Sequence, residues 1–549
     1  MKQIPRVVHI LGLTLLAGLV LAISQTVSGA SQIAQPQADF NGNGVADLAI
    51  GAAYEDVGSA GEAGVIQVLY GTAGVGLTDN GDQYLSEDQP GLIGSAQAED
   101  HFGNALAAGD FDGDGIMDLA IGVPGQNVDA SGVLVFGAGA VHVLYGIEPG
   151  GLSLEGDQVW HQDSGIIQSL CENYDHFGQA LAAGDFDGDG FDDLAVGVPY
   201  ETWNEIESGI VQILYGTASG LSDVDNQLWR QGANGIPGAE ESEERFGSAL
   251  SVGDFDGDGY DDLAIGVAGE VIDTKYNAGA VHILYGTGSG LTANGNQYLY
   301  QDMDTLLGTS EGGDRFGTSL AAGDFDGDDF DDLAIGVDGQ DVIGINQAGA
   351  VHILYGSYQI GLTGDGDQVW HQEVGAIHSI AETRDQFGHT LAAGDFNGDL
   401  YSDLVVGVPY EGWTQPDNNA GIVQVIYGTT NGLSDTGNQL WRQGDSGILD
   451  SEETDDKFGY TLTIGDYNND GYGDLAVGVP FEDIESIVDA GIVQIILGSG
   501  SGLTSNGNQV WYQGYQGLQG VSEESDYFGW SLASLPSIIY RINLPLAIR

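Results

Sequence analysis

Apolar residues in this chain fall in short runs, four to eight long, broken by glycine, aspartate and asparagine. One unit shows the pattern. Phe177-Gly178 opens it and a run continues to Gly184; an acidic stretch, Asp185 to Asp193, follows. A second run, Leu194 to Val198, stops at Pro199. A third spans Gly209 to Gly216, and a fourth spans Asn226 to Gln231. Runs this short, rich in Val, Ile, Leu and Tyr and bounded by turn formers, predict strands. No stretch of 12 or more residues holds a helical period. The unit recurs seven times, with 69 to 75 residues between successive acidic stretches. Four short strands in a repeat of that length predict one blade of a β-propeller.

The Phe-Gly pairs and the acidic stretches are offset. Pairs begin at Phe102, Phe177, Phe246, Phe316, Phe387, Phe458 and Phe528, each opening a predicted strand. The first acidic stretch has no pair before it, and the last pair has no acidic stretch after it. The two half-units complete each other. The expected fold is therefore all-β: a seven-bladed β-propeller of four-stranded blades, closed by a C-terminal strand, Phe528 to Ala533, that completes the first blade. Closure removes strand edges that would otherwise seek partners. The propeller is assigned to residues 31–534, a signal peptide to 1–30 and a C-terminal tail to 535–549. A longer echo overlies the short period. Gln158-Val159-Trp160-His161-Gln162 returns as Gln368 to Gln372, and Asn226 to Gln231 returns as Asn438 to Gln443. Blades two and three read as copies of blades five and six.

Charge narrows the partners. The chain has 11 Lys plus Arg against 82 Asp plus Glu, a formal charge of −71. Nucleic acid is excluded, since phosphate binding needs basic patches. Docking on anionic lipid is disfavoured for the same reason. Such a chain repels itself unless cations neutralise it. At the N-terminus, Lys2 and Arg6 precede an uncharged apolar stretch, Ile10 to Ile23, and then Ser28-Gly29-Ala30. This reads as an export signal cut after Ala30. The single cysteine, Cys171, cannot form an internal disulfide. An exported chain without sulfur staples points to metal as its staple.

The acidic stretches supply the chemistry. Carboxylate or amide oxygens at positions 1, 3, 5 and 9, with the backbone oxygen of position 7, can converge on one hard cation. The first loop offers Asp39, Asn41, Asn43, Val45 and Asp47; the second Asp110, Asp112, Asp114, Ile116 and Asp118; the third Asp185, Asp187, Asp189, Phe191 and Asp193. The fourth offers Asp254, Asp256, Asp258, Tyr260 and Asp262; the fifth Asp324, Asp326, Asp328, Phe330 and Asp332. The sixth offers Asp395, Asn397, Asp399, Tyr401 and Asp403; the seventh Asp466, Asn468, Asp470, Tyr472 and Asp474. Calcium, which takes six to eight oxygens in flexible geometry, suits this set; magnesium wants stricter octahedral geometry. Softer metals would want His or Cys, which these loops lack. Up to seven Ca²⁺ are expected. Loop one, with two acids, should bind most weakly, since ligand charge tunes affinity. The loop is not an EF-hand: Val196 stands where position 12 would need Glu, and a strand follows instead of a helix.

Phe-Gly, then Asp-x-Asp-x-Asp-Gly-x-x-Asp, then Gly-x-Pro, as in Gly122-Val123-Pro124, Gly197-Val198-Pro199, Gly407-Val408-Pro409 and Gly478-Val479-Pro480, resembles the FG-GAP repeat of integrin alpha subunits. The resemblance runs from about Asp39 to Ala533. It implies a seven-bladed propeller with calcium in the loops between the first two strands of a blade, and a role in adhesion. It departs in two respects. No leg domains or later apolar span follow the repeats, and more loops are intact than an integrin head usually carries.

Two functions follow as expectations. The first is a secreted or cell-surface calcium-binding module for adhesion, monomeric, with an extracellular protein or glycan as ligand. The alternative is a carbohydrate- or lipid-active enzyme or lectin on a propeller scaffold. No catalytic constellation stands out. Gly308-Thr309-Ser310-Glu311-Gly312 matches a nucleophile-elbow pattern but falls in a spacer instead of on a strand-to-helix turn. His142, His282 and His352 share one repeat position with Gln67, Gln212, Gln424 and Gln494, which reads as a strand position tolerating polar residues. The fourth-strand tryptophans, Trp160, Trp229, Trp370, Trp441 and Trp511, read as packing. Trp203 and Trp413 lie in the less regular loop after Gly-Val-Pro, where propellers often present ligand-facing residues; they read as local packing first and as glycan or partner contacts second.

Overall fold

The computed structural model describes residues 38–534, apart from 131, 304–305, 413–417 and 446. The expected export signal, Trp413 and the C-terminal tail fall outside the described residues.

Seven four-stranded antiparallel sheets form the blades. The third is representative: Ala180–Gly184, Asp193–Val198, Ile210–Tyr215 and Ser222–Trp229 follow one another outwards. Gly184 pairs with Asp193, so the acidic loop joins the first two strands at one end of the blade. The innermost strands of successive blades touch all the way round. The circle closes as the offset predicts. Ser531–Ala533 pairs antiparallel with Leu48–Ala52, placing Ala533 opposite Ala49 and Ser531 opposite Gly51. It thereby supplies the inner strand of the blade whose other members are Leu48–Ala52, Val65–Thr72 and Gly76–Leu85.

The second strands are buried along their whole length, as Asp193–Val198 shows, because a neighbouring blade covers each face. This is why they read as continuous apolar runs and not as alternation. The core lies between blades. Phe186, Val211, Ile213 and Phe246 pack with Leu263, Ile265 and Val267 of the next blade.

One expectation shifts. The Phe-Gly pair does not lie in the strand; the third blade's inner strand starts at Ala180. The pair faces the preceding blade. Phe177 is fully buried, and its N–H donates to Ala138 O at 2.9 Å. All seven Phe N–H groups make the equivalent bond at 2.8–3.0 Å. The two glycines of the motif meet here. A Cβ on Gly197 would lie 2.2 Å from Gly247 O, so the Phe-Gly and Gly-x-Pro glycines let adjacent blades approach backbone to backbone.

Candidate metal centres and the Phe-Gly face

Each acidic loop is shaped by its own carboxylates. Asp185 at position 1 accepts the N–H groups of Asp189 at 3.1 Å and Gly190 at 3.0 Å, which curls the chain around it. Asp189 at position 5 accepts Phe191 N–H at 3.1 Å. The position 9 acids, Asp47, Asp118, Asp193, Asp262, Asp332, Asp403 and Asp474, are all buried. Each uses both oxygens. Asp193 accepts Phe186 N–H at 3.0 Å and Gly216 N–H at 2.9 Å, tying the loop to the end of the third strand. The others do likewise with Gly71, Gly146, Gly286, Gly356, Gly428 and Gly498.

Positions 1, 3 and 9 come together. In loops two to five the carboxylates of Asp110/Asp112/Asp118, Asp185/Asp187/Asp193, Asp254/Asp256/Asp262 and Asp324/Asp326/Asp332 each lie within 4.8 Å of one another. Position 5 is outside this trio and serves the position 7 amide instead. Loops six and seven place Asn397 and Asn468 at position 3. In loop one, Asn41 Nδ2 donates to both oxygens of Asp47, at 3.3 and 3.1 Å, where loops two to five have a carboxylate.

The electrostatics fit a cation. Burial pushes Asp118, Asp193 and Asp262 up to about 9, and neighbouring aspartates push further. Three acids in such surroundings cannot all ionise without a compensating charge. Asp326 Oδ1 and Asn468 Oδ1, both position 3 oxygens, are buried without a hydrogen-bond partner. A bound divalent ion would satisfy both needs.

Sequence reasoning missed how the loops are joined. Asp192, Asp261 and Asp331, at position 8, each accept the N–H of position 1 of the preceding loop, at 2.8, 2.9 and 3.0 Å. The position 1 carbonyl answers by accepting the N–H of position 8, as Asp110 O does from Asp192 at 3.0 Å. The position 7 rings reach back too. A Cβ on Gly188 would lie 2.5 Å from Tyr260 Cε1, and one on Gly257 would lie 2.1 Å from Phe330 Cε1. The backbone bond recurs from Asp39 O, which accepts Met117 N–H at 3.1 Å, to Asp395 O, which accepts Gly473 N–H at 2.8 Å, so loops one to seven are joined in series as a belt. The aromatic at position 7 of loops three to seven was the available signal.

A family model described as FG-GAP repeat matches at residues 37–69, 102–144, 177–214, 246–284, 316–354, 387–426 and 458–496. The chain is an FG-GAP repeat protein. It is 34% identical over 164 residues to the phosphatidylinositol-glycan-specific phospholipase D of Bos taurus, covering 30% of this chain and 19% of that protein. It is 29% identical over 253 residues to integrin alpha-PS2 of Drosophila melanogaster, covering 45% and 16%. The chain spans about a fifth of the length of these curated relatives. Among solved structures, the exotype rhamnogalacturonan lyase YesX aligns with a TM-score of 0.36 and 14% identity, covering 90% of this chain and 67% of that one.

The opposite ends of the FG-GAP blades carry a different surface. Three positions per repeat meet there: the residue before Phe-Gly, the residue after Phe-Gly and the residue after Gly-x-Pro. In blades six, seven and one they carry the half-buried rings of His389, Tyr410, Tyr460, Phe481, Tyr527, Trp530 and Tyr54, beside Gln386 and Lys457. Trp530 lies 4.9 Å from Tyr54 and 5.4 Å from Tyr460, and Tyr460 lies 5.5 Å from His389, ring centre to ring centre. Phe481 bridges Tyr460 at 5.3 Å and Tyr527 at 5.1 Å. The same positions hold cations of this otherwise acidic chain. Lys457 Nζ sits 3.4 Å over Phe481, Arg245 lies 5.5 Å from the Tyr200 ring, and Arg315 pairs with Asp338 at 2.8 Å.

The remaining sequence candidates fall into place by packing. Trp229, Trp370, Trp441 and Trp511 are buried, and Trp160 is half-buried. Trp203 is covered by the Arg230 guanidinium at 4.5 Å. His142, His282 and His352 are buried against the Phe-Gly rings of Phe102, Phe246 and Phe316. Ser310 is buried in a loop.

Proposed function

We propose that this protein is an exported, monomeric binding module for adhesion, stapled by calcium on one face and recognising an extracellular protein or glycan with the other. One observation carries the reading: the aromatic arc from Tyr54 through Trp530 and Tyr460 to His389 is half-buried at positions the repeat places side by side, yet its residues differ from blade to blade. A scaffold that only needed packing would repeat one residue. Aromatic bodies with polar tips and nearby cations suit recognition of glycan rings and protein side chains. Similarity to integrin alpha-PS2 supports the adhesion reading.

Calcium takes the loops. Positions 1, 3 and 9 would supply the charged ligands, with position 5 and the position 7 carbonyl completing the set after the loop relaxes onto the ion. Similarity to the phospholipase D proteins favours a second reading, a lipid-active enzyme.

A glycan array and an extracellular-protein screen, run with Trp530→Ala beside the wild type, test the first reading. Binding that the variant loses supports it. Turnover of a phosphatidylinositol-glycan substrate abolished by one point substitution would replace it with the second.

A further inference from the structure

A second sevenfold series lies under the Phe-Gly face, and the calcium loops do not use it. Each rim residue is backed by a polar group one position away in sequence: Asp175 precedes His176, and Glu201 follows Tyr200. Asp175 is 1% and Glu201 3% exposed. Asp175 accepts the N–H of Glu172 at 2.6 Å, and Glu201 accepts Gln162 Nε2 from the end of the preceding blade. The two carboxyl groups face each other, each tuning the other's titration. Asp526 with Glu55, and Asp385 with Glu411, repeat the arrangement, their glutamines being Gln513 and Gln372.

The variations keep the pairing. Between blades one and two the roles are exchanged: Gln126 Nε2 donates to Glu87 at 2.7 Å, and Glu87 meets Asp100. In blade five the partner is already an amide, Gln340, which accepts Gln301 Nε2 at 2.5 Å. A contact conserved through exchange of its partners is a specific one.

Two carboxylates in contact and away from water cannot both be ionised. The groups facing them make this harsher. Glu172 faces the Asp175 pair, Glu382 the Asp385 pair, and Glu523 with Asp56 the Asp526 pair, with the Tyr84 hydroxyl on Glu55. Around these three pairs all are acids or neutral donors, so one carboxyl of each must keep its proton. The Glu87 and Asp100 pair differs, with His142 Nε2 at 3.3 Å from Glu87 and His101 beside Asp100.

We propose that these pairs are proton-held clasps: each fastens the two loops that present one rim position while a proton is shared, and lets them part when that proton is lost in alkali. Burial raises both members of every pair, pushing Glu482 up to about 9 and Asp456, which faces it, up to about 7. A carboxyl raised in the folded state lends stability that is complete below its unfolded value near 4 and is lost as pH rises through the folded values. The window runs from about pH 4 to about 9. The clasp stands whether or not the rim binds a ligand; only its consequence for binding rests on the reading above.

The test is the variant Glu55→Gln/Glu201→Gln/Glu411→Gln/Glu482→Gln, in which an amide imitates the protonated acid, with the single Glu201→Gln variant beside it. Both are measured in excess calcium, so the loops stay filled. Infrared difference spectra of wild type at about pH 7 should show the carbonyl stretch of buried protonated carboxyls, reduced in the single variant and reduced further in the fourfold one, which keeps the Glu87 and Asp100 pair. Exchange of the Glu172 and Glu382 amides, corrected for intrinsic pH dependence, should rise about tenfold from about pH 7 to about pH 9 in wild type and stay flat in the fourfold variant. A wild type without the protonated band, or equal exchange in both proteins, overturns the proposal.

Discussion

Asp192 Oδ2 accepts the backbone N–H of Asp110 at 2.8 Å, across the boundary between two blades. Position 8 of one acidic loop thus holds position 1 of the loop before it. Neighbouring loops share a hydrogen-bonded belt, so an ion that fixes one loop also fixes the entry of the next.

Chelation should therefore loosen the ring as a whole. A site filled at about a hundred times its dissociation constant adds about 2.7 kcal/mol to stability. Calorimetry with and without a chelator should show one transition moving down, not a separate early melt. Titration of the apo protein should find loop one the weakest, because Asn41 and Asn43 together leave it only two carboxylates. A melting temperature indifferent to chelator contradicts the belt.

Neighbouring aspartates should differ in cost. Asp193→Ala removes two bonds from a buried carboxyl, those to the Phe186 and Gly216 N–H groups, and leaves Phe186 N–H with Gly184 O at 3.2 Å. Each bond to a charged group is worth about 1.5–3 kcal/mol, so the total should be about 3 kcal/mol or more. Asp192→Ala removes one charge-assisted bond, worth about 1.5–3 kcal/mol. Urea unfolding in the presence of a chelator separates this from ion loss. The reverse order would show that the belt outweighs the strand tie.

Glycines at positions 4 and 6 should not be equivalent. Gly257 has φ +70° and a Cβ there would meet the Phe330 ring at 2.1 Å; Gly259 has φ +89° with open space around it. Gly259→Ala should cost about 1 kcal/mol of backbone strain. Gly257→Ala should cost about 1–3 kcal/mol more, from overpacking against the next blade. Adding Phe330→Ala should recover part of the second cost and none of the first, which a double-mutant cycle measures.

The acid side of the stability profile should belong to histidine. Burial holds His282 down to about 3 and His142 and His352 down to about 4. A histidine depressed in the folded state lends stability that is complete above its ordinary value near 6.5 and is lost as pH falls towards 3. The fall from 6.5 to about 3 corresponds to about 5 kcal/mol for His282. His282→Gln, the residue found in its place at Gln212 and Gln424, should flatten thermal melting between about pH 6 and 4. An unchanged acid limb would place the sensitivity elsewhere.

Much of this was written along the chain. The offset between Phe102 and Asp110, repeated to Phe528, gave blade number and ring closure. Alternate oxygens from Asp185 to Asp193 marked the loops. What stayed hidden runs sideways. Asp192 and Asp110 are 82 residues apart, and Gln162 and Glu201 are 39 apart. A repeat displays its period but not which of its residues face the neighbouring copy, since that depends on how blades twist past each other. The Phe-Gly pair was misplaced for this reason: its apolar side chain looks like the start of a strand, while its N–H belongs to the blade behind.

The pairing of Ser531–Ala533 with Leu48–Ala52 also sets an order in time. Three of the first blade's strands emerge before the other six blades and its inner strand emerges after them. Until then Leu48–Ala52 presents a bare edge, open to any passing chain. Closing a loop of that span is slow, so the interval between synthesis and closure is when this protein is most vulnerable to mispairing. Rearranging the chain to begin at Ala105, with the old ends joined, would make each blade local in sequence and shorten that interval.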